Sequence, residues 1–188
     1  MAVELANHVH EMTNAELNSV AKLRFTDEAT QVALAKHPYL LCRKYLAHNP
    51  NLCEEARDIL LAGKANSVKA NLMVEGHLNH APEKISELYF SMKRRGFNWW
   101  NVSAFIRGYY WSDKKEAPNT PVEVLEDIYE GVASPENKSY GKERTLADVV
   151  RHPNSPIEMA IRASTSETEQ VKQAGFARLI EIEKAKEK

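Results

Sequence analysis

The sequence predicts an all-α protein, and three observations support that fold class. Runs that alternate apolar and polar residues, as strands do, are almost absent. Apolar residues instead recur at intervals of three or four, the spacing of one helix face. Capping residues, prolines and glycines interrupt these runs often, which indicates many short helices. We therefore expect roughly ten short helices, arranged as a short irregular α-solenoid or, failing that, as a helical bundle.

Start signals mark the helices of the first half of the chain. Thr13 and Glu16 have the spacing of a capping box, which predicts a helix extending to about Phe25. Asp27 follows Thr26 and favours the positive end of a second helix, which ends at His37. The helices that follow are predicted to begin at Pro38, Asn51, Ser67, Pro82 and Asn98.

The second half of the chain contains an acidic helix, a polar segment and a further group of helices. The acidic helix is predicted over 121–131, and the segment 133–144 contains proline and glycine typical of a linker. Three helices are expected after it, over 145–151, 156–163 and 167–186. We predict one domain over 1–188, with a main body over 1–132, a linker or loop over 133–144 and C-terminal helices over 145–188.

Four of the seven histidines lie one or two residues before a proline, and we interpret them as helix ends. They are His37, His48, His80 and His152. Histidine and asparagine tolerate the left-handed backbone conformation that helix ends often adopt. A metal site would require these loops to converge, and His77 and His80 lack the carboxylate partner of a zinc motif. No metal and no cofactor is predicted.

Composition favours an intracellular, cytoplasmic protein. Cys42 and Cys53 form no CxxC pair and are expected to be small core residues in a reducing compartment. The first residues lack the basic and then apolar pattern of a secretory signal. No run approaches the roughly 20 apolar residues of a membrane span, so no membrane association is predicted. The net charge of −1 provides no general attraction to nucleic acid or anionic lipid.

Residues 34–82 resemble the variant leucine-rich and HEAT-like helical repeats. In that family a Leu-Ala pair, a polar residue and Asn-Pro or Asp-Pro precede a Val-Arg pair that begins the next helix. The loop pattern is carried by 46–50 and, less closely, by 34–38, while Val68-Lys69 occupies the place of Val-Arg. A later unit is similar over 149–154 and the following helix.

The resemblance covers about 30–82 and 145–180 and implies stacked helix pairs that form an extended binding surface. Its proline stops are 12, 32 and 71 residues apart, so the repeats are expected to be irregular. The iron–sulfur cluster of some variant leucine-rich repeat proteins requires a cysteine cluster, and two cysteines do not provide one.

Residues 89–115, which we call the basic aromatic segment, form the strongest local signal. This segment contains nine of the fifteen aromatic residues, all three tryptophans and six basic residues against Asp113 alone. One interpretation is structural: Trp99, Val102, Phe105 or Ile106, and Tyr109 form a core stripe at helical spacing. The acidic helix over 121–131 can also screen the positive charge within the same molecule. If the opposite flank is exposed, tryptophan, tyrosine and arginine there are typical of interface hot spots.

The sequence therefore predicts a non-catalytic binding or adaptor protein that uses this segment to hold a protein partner. The predicted contact residues are Arg94, Arg95, Trp100, Arg107, Tyr110 and Trp111. The alternative is a nucleic-acid-binding protein that contacts phosphates and stacks on bases through the same residues. A third, remote hypothesis is an enzyme similar to the HEAT-like DNA glycosylases, for which Trp111 and Asp113 offer the aromatic and acidic groups. No catalytic residue is predicted, and the oligomeric state is left open.

Overall fold

The computed structural model of the chain describes residues 2–94, 99–107, 117–137 and 141–187. Over these ranges it contains twelve α-helices and no strand. The predicted all-α fold class is therefore confirmed, while the solenoid arrangement stays a prediction. The helices are α1 (Ala2–His8), α2 (Asn14–Ala21), α3 (Glu28–Lys36), α4 (Leu40–Leu46), α5 (Glu54–Ala62), α6 (Asn66–Val74), α7 (Pro82–Lys93), α8 (Trp99–Arg107), α9 (Val122–Ala133), α10 (Lys142–Arg151), α11 (Ile157–Ser164) and α12 (Glu169–Lys186).

The helices form two compact units, residues 1–77 and residues 78–188. The predicted linker at 133–144 lies inside the second unit, between α9 and α10. These two helices pack on each other, so residues 133–144 do not separate two units. The division therefore falls at a place that composition does not mark.

The first unit repeats a helix pair at a fixed interval. Helices α1, α3 and α5 begin at residues 2, 28 and 54, and α2, α4 and α6 begin at 14, 40 and 66, which is an interval of 26 residues in both series. Each helix packs on the helix two places along, so the odd and even helices form two rows. Ala21, Ala47 and Met73 keep this interval and are all fully buried.

Asparagine and histidine side chains connect the loops at one end of the first unit. Asn49 donates from its amide to the Leu23 carbonyl at 3.1 Å, and its own carbonyl accepts from Nε2 of His77 at 2.9 Å. Its side-chain oxygen accepts the Asn51 N–H at 2.9 Å. Asn49 is only 4% exposed, so these bonds satisfy polar groups that would otherwise be buried without partners.

Replacing Asn49 by alanine is expected to destabilise the first unit by about 2 kcal/mol, because it leaves the Leu23 carbonyl and the Asn51 amide without their partners. Amide hydrogen exchange in α3 and α5 measures the change. The exposed Asn14, at the start of α2, provides the control, and its replacement by alanine should leave that protection unchanged. Equal protection in both variants would contradict the prediction.

In the second unit, α8, α9, α11 and α12 all pack against α10, and α7 packs on α9. The closest packing in the unit is between α11 and α12. Gly175 of α12 is buried at this contact, where an added Cβ would lie 2.4 Å from the backbone nitrogen of Ser164. The absence of a side chain at residue 175 therefore allows the two backbones to approach.

Four turns that contain a proline share one hydrogen bond. His37 and His152 each precede a proline. Nδ1 of each ring accepts the N–H of the residue that follows that proline, Tyr39 and Asn154 respectively, at 3.1 Å in both cases. Asn49 and Ser134 make the same bond with their side-chain oxygens, at 2.9 and 3.3 Å. Proline has no N–H and makes the residue before it extended, so a side-chain acceptor at that position completes the turn.

The interpretation of these histidines as helix ends is confirmed for His37 and His152, but the reason given for it was wrong. Both residues have extended backbones, with ψ of 137°. Among the residues that the structure describes, only glycines have positive φ. The acceptor nitrogen of the ring, rather than tolerance of the left-handed region, therefore suits histidine to this place.

The helix boundaries agree with the sequence prediction at some points and differ at others. The capping box of α2 is confirmed: the Thr13 N–H donates to the Glu16 carboxylate at 2.7 Å, and the Glu16 N–H donates to Oγ1 of Thr13 at 3.3 Å. That helix ends at Ala21, before the predicted Phe25. Asn51 does not cap α5, because Cys53 occupies the N-cap position, and the Asn51 amide instead donates to the Arg24 carbonyl at 2.9 Å. Helix α1 was not predicted.

The two cysteines are in different environments. Cys42 is fully buried and its thiol donates to the Tyr39 carbonyl at 3.1 Å. Burial raises the pKa of this thiol. Cys53 is half-buried and directly precedes α5. The prediction of a core residue is therefore confirmed for Cys42 alone.

Candidate functional site

The basic aromatic segment lies partly outside the described residues. Of the predicted contact residues, the structure describes the side chains of Arg94 and Arg107. Arg95, Tyr110, Trp111 and the side chain of Trp100 lie outside the described part of the chain, as does the Asp113 of the glycosylase hypothesis. These predictions stay predictions.

Arg94 and Arg107 are in different situations. Arg94 caps the C-terminal end of α7 and is exposed. Arg107 ends α8 and forms an ion pair with Asp148 of α10, and both side chains are largely buried. Arg151 approaches the other oxygen of the same carboxylate at 3.9 Å. The charge of Arg107 is therefore balanced within the unit, and Arg94 is the better placed of the two to meet a partner.

The acidic helix α9 neutralises part of the basic segment, as the screening hypothesis expects. Nζ of Lys93 lies 2.6 Å from both carboxylate oxygens of Asp127. The Tyr89 hydroxyl donates to the same carboxylate at 2.6 Å. Burial of Tyr89 raises the pKa of its phenol, and the neighbouring Asp127 raises it further. The proton of Tyr89 is thus held in place, which suits a structural role.

The core stripe of α8 is confirmed for the residues that the structure describes. Val102, Phe105 and Ile106 are at most 3% exposed. The rings of Tyr89 and Phe105 meet edge to face, with centroids 5.2 Å apart at 83°. The side chain of Trp99 and the whole of Tyr109 lie outside the described residues. Two of the nine aromatic residues of the segment, Tyr89 and Phe105, therefore belong to the interior of the second unit.

A groove between α9 and α11, which we call the α9–α11 groove, was not predicted from the sequence. Its volume is about 310 Å³. The buried Tyr129 and Met159 provide an apolar floor. Its other lining residues are Glu126, Glu130, Pro156, Glu158 and Arg162.

Arg162 crosses this groove from α11 to α9. Its guanidinium carbon lies 5.2 Å from the ring centroid of Tyr129, within the range of a cation–π contact. It also donates to the Glu130 carboxylate, and this hydrogen bond raises the pKa of the guanidinium. Glu130 and Arg162 are 32 residues apart in the chain, so no local pattern could have paired them.

Exposed apolar side chains lie on α11, which lines the groove, and on α12, which packs on α11. Ile157 and Ile161, one turn apart on α11, are 37% and 52% exposed. Phe176 and Ile180, one turn apart on α12, are 52% and 51% exposed. Residues four apart share a helix face, so each pair forms a small apolar strip.

Two histidines of the first unit lie close to carboxylates. His48 and Glu75 meet at 2.8 Å in the first unit, and His8 meets Glu11 at the same distance. No group of three or more histidine, cysteine, aspartate or glutamate side chains in the described part of the chain could hold a metal ion.

Comparisons with known proteins do not assign the chain to a family. The chain matches no protein-family model, no curated protein and no solved structure. The resemblance to variant leucine-rich and HEAT-like repeats therefore stays a prediction.

None of the helices that the structure describes is long and apolar enough to cross a membrane.

Proposed function

We propose that this chain is a non-catalytic binding protein whose partner is another protein. The observation that carries the proposal is the pair of exposed apolar strips on α11 and α12, two helices that pack on each other. Large apolar side chains that are half exposed on adjoining helices mark interaction sites more often than isolated ones do. Tyrosine, methionine and arginine in the groove belong to the residue types enriched at protein interfaces.

The α9–α11 groove adds depth and polarity to this surface. Its apolar floor can be covered by a partner while its charged residues remain at the rim, which is the usual anatomy of an interface. Arg94 of the basic aromatic segment is a further exposed candidate contact. A protein partner is the occupant that uses both the apolar strips and the charges.

Nucleic acid receives less support as the partner. Lys93 and Arg107 are paired with Asp127 and Asp148, so two cations of the segment are already neutralised. Phosphate binding depends on cations that can replace counterions, and a carboxylate on each of them competes for that role.

A capture experiment tests the proposal. Immobilised protein is expected to retain one protein from a cell extract in 0.5 M salt. The double variant Ile161→Asp/Phe176→Asp is expected to retain at least about ten-fold less of that protein, because the loss of a hot-spot side chain commonly weakens binding by this factor. Thermal unfolding of the variant should match that of the wild type, since both side chains are about half exposed. Glu83→Ala/Lys84→Ala, at exposed positions on α7, is the control. It keeps the net charge of the wild type and is expected to retain the captured protein in full.

Two results would contradict the proposal. In one, the double variant retains the same protein as well as the wild type does. In the other, nothing but nucleic acid is retained, and that retention disappears between low and moderate salt, as phosphate binding requires.

A further inference from the structure

The α9–α11 groove has the size of a site for one or two side chains. Its volume of about 310 Å³ is at the lower end of the range for ligand pockets, about 300–1,000 Å³. Tyr129 and Met159 form the floor and are at most 6% exposed. A side chain that enters the groove therefore passes the charged rim before it reaches a phenol ring and a thioether at the floor.

The rim of the groove is negative. Glu126, Glu130 and Glu158 line it, and Arg162 is the one basic residue among the lining residues. All three glutamates are exposed, so they can turn towards a ligand. A concave surface lined by one sign of charge concentrates ligands of the opposite sign. The chemistry of the rim therefore selects a cation.

Arg162 shows how a cation is held there. Its guanidinium lies over the face of Tyr129 and is paired with Glu130, so one carboxylate and the ring already accept a planar cation. The Arg162 side chain is 56% exposed. Glu126 and Glu158 take no part in these contacts and remain for a second cation.

We propose that the α9–α11 groove binds an arginine or lysine side chain of the protein partner, with Glu126 and Glu158 as its counter-charges. Ile157 and Ile161, on the same helix as Glu158, then contact apolar residues beside that side chain. Arginine is preferred to lysine, because a planar guanidinium bonds a carboxylate through two N–H groups. The inference rests on the proposed function, since it specifies the chemistry of that partner.

Two matched peptides test the inference on the full chain. One is acetyl-Leu-Arg-Leu-Arg-Leu-amide, and the other replaces each arginine by citrulline, which keeps the shape of the side chain and removes its charge. The arginine peptide is expected to bind at least about five-fold more tightly, because two exposed ion pairs contribute about this much. The Glu126→Gln/Glu158→Gln variant should bind the two peptides equally, and Glu83→Gln, on α7, should behave as wild type. Calorimetry measures the affinities.

The outcomes separate this inference from the proposed function. Equal binding of both peptides by the wild type, or an undiminished preference in Glu126→Gln/Glu158→Gln, would overturn the inference. If the Ile161→Asp/Phe176→Asp variant nevertheless loses its captured protein, the proposed function stands without it. Sedimentation velocity provides a further test. If the wild type self-associates and Glu126→Gln/Glu158→Gln does not, the occupant of the groove is a second copy of the chain, and the inference is overturned.

Discussion

Replacing Gly175 by alanine is expected to destabilise the second unit by about 3 kcal/mol, at the upper end of the usual cost of overpacking. The new Cβ would lie 2.4 Å from the backbone nitrogen of Ser164 and 2.7 Å from the backbone oxygen of Ala160. These are backbone atoms, so no side chain can rotate away and α11 must separate from α12. The higher helix propensity of alanine, about 0.5–1 kcal/mol, offsets only part of this cost.

Gly131 provides the matched control for this experiment. It lies in α9, is exposed, and an added Cβ there meets nothing within 4 Å. Gly131→Ala is therefore expected to stabilise the unit by about 0.5–1 kcal/mol. All three tryptophans lie between residues 99 and 111, so urea unfolding followed by tryptophan fluorescence reports on the second unit. A Gly175→Ala midpoint equal to or above that of the wild type would contradict the prediction.

The second unit is expected to lose about 3 kcal/mol of stability as the pH falls from 6.5 to 4, because His152 must stay neutral in the folded state. This side chain is 3% exposed, and its pKa is lowered to about 4: burial and, to a smaller extent, the charge of Arg178 lower it, while the hydrogen bond to the Pro118 carbonyl raises it in part. Unfolded chains bind the proton near pH 6.5, so they gain protons first as the pH falls. The stabilisation is therefore complete above pH 6.5 and disappears once the pH passes the folded pKa.

The turn at His152 also provides the variant that isolates this effect. Asn49 accepts the N–H two residues on, as His152 does, and it does not titrate. His152→Asn should keep the turn, lose the bond of Nε2 to the Pro118 carbonyl, and so be less stable at pH 7. Below pH 6.5 its stability, measured by urea unfolding with tryptophan fluorescence, should fall less steeply than that of the wild type. Parallel curves for the two proteins would show that another group is responsible.

Local signals in the sequence predicted the local structure of this protein. The reciprocal bonds of Thr13 and Glu16, the start of α7 at Pro82 and the burial of Phe105 all depend on residues within one helix, and all were correct. Helix α1 was missed because no capping residue is present before Ala2. Its partner in the fold is α3, which the sequence alone does not reveal.

The contacts between helices were beyond prediction for a physical reason. The buried side chains that repeat at the interval of 26 residues are Ala21, Ala47 and Met73, and they differ in size. The proline stops, which are easier to recognise in the sequence, do not repeat at this interval. The α9–α11 groove likewise depends on Arg162 reaching Glu130 from another helix. Single residues of these types are common on any protein surface, and only the fold brings them together.

The turns before proline permit this architecture to change its sequence without changing its geometry. Each turn requires one lone pair at a fixed place, and an imidazole, a carboxamide or a hydroxyl can provide it. Exchange among these groups alters which turns respond to acid while the path of the backbone is conserved.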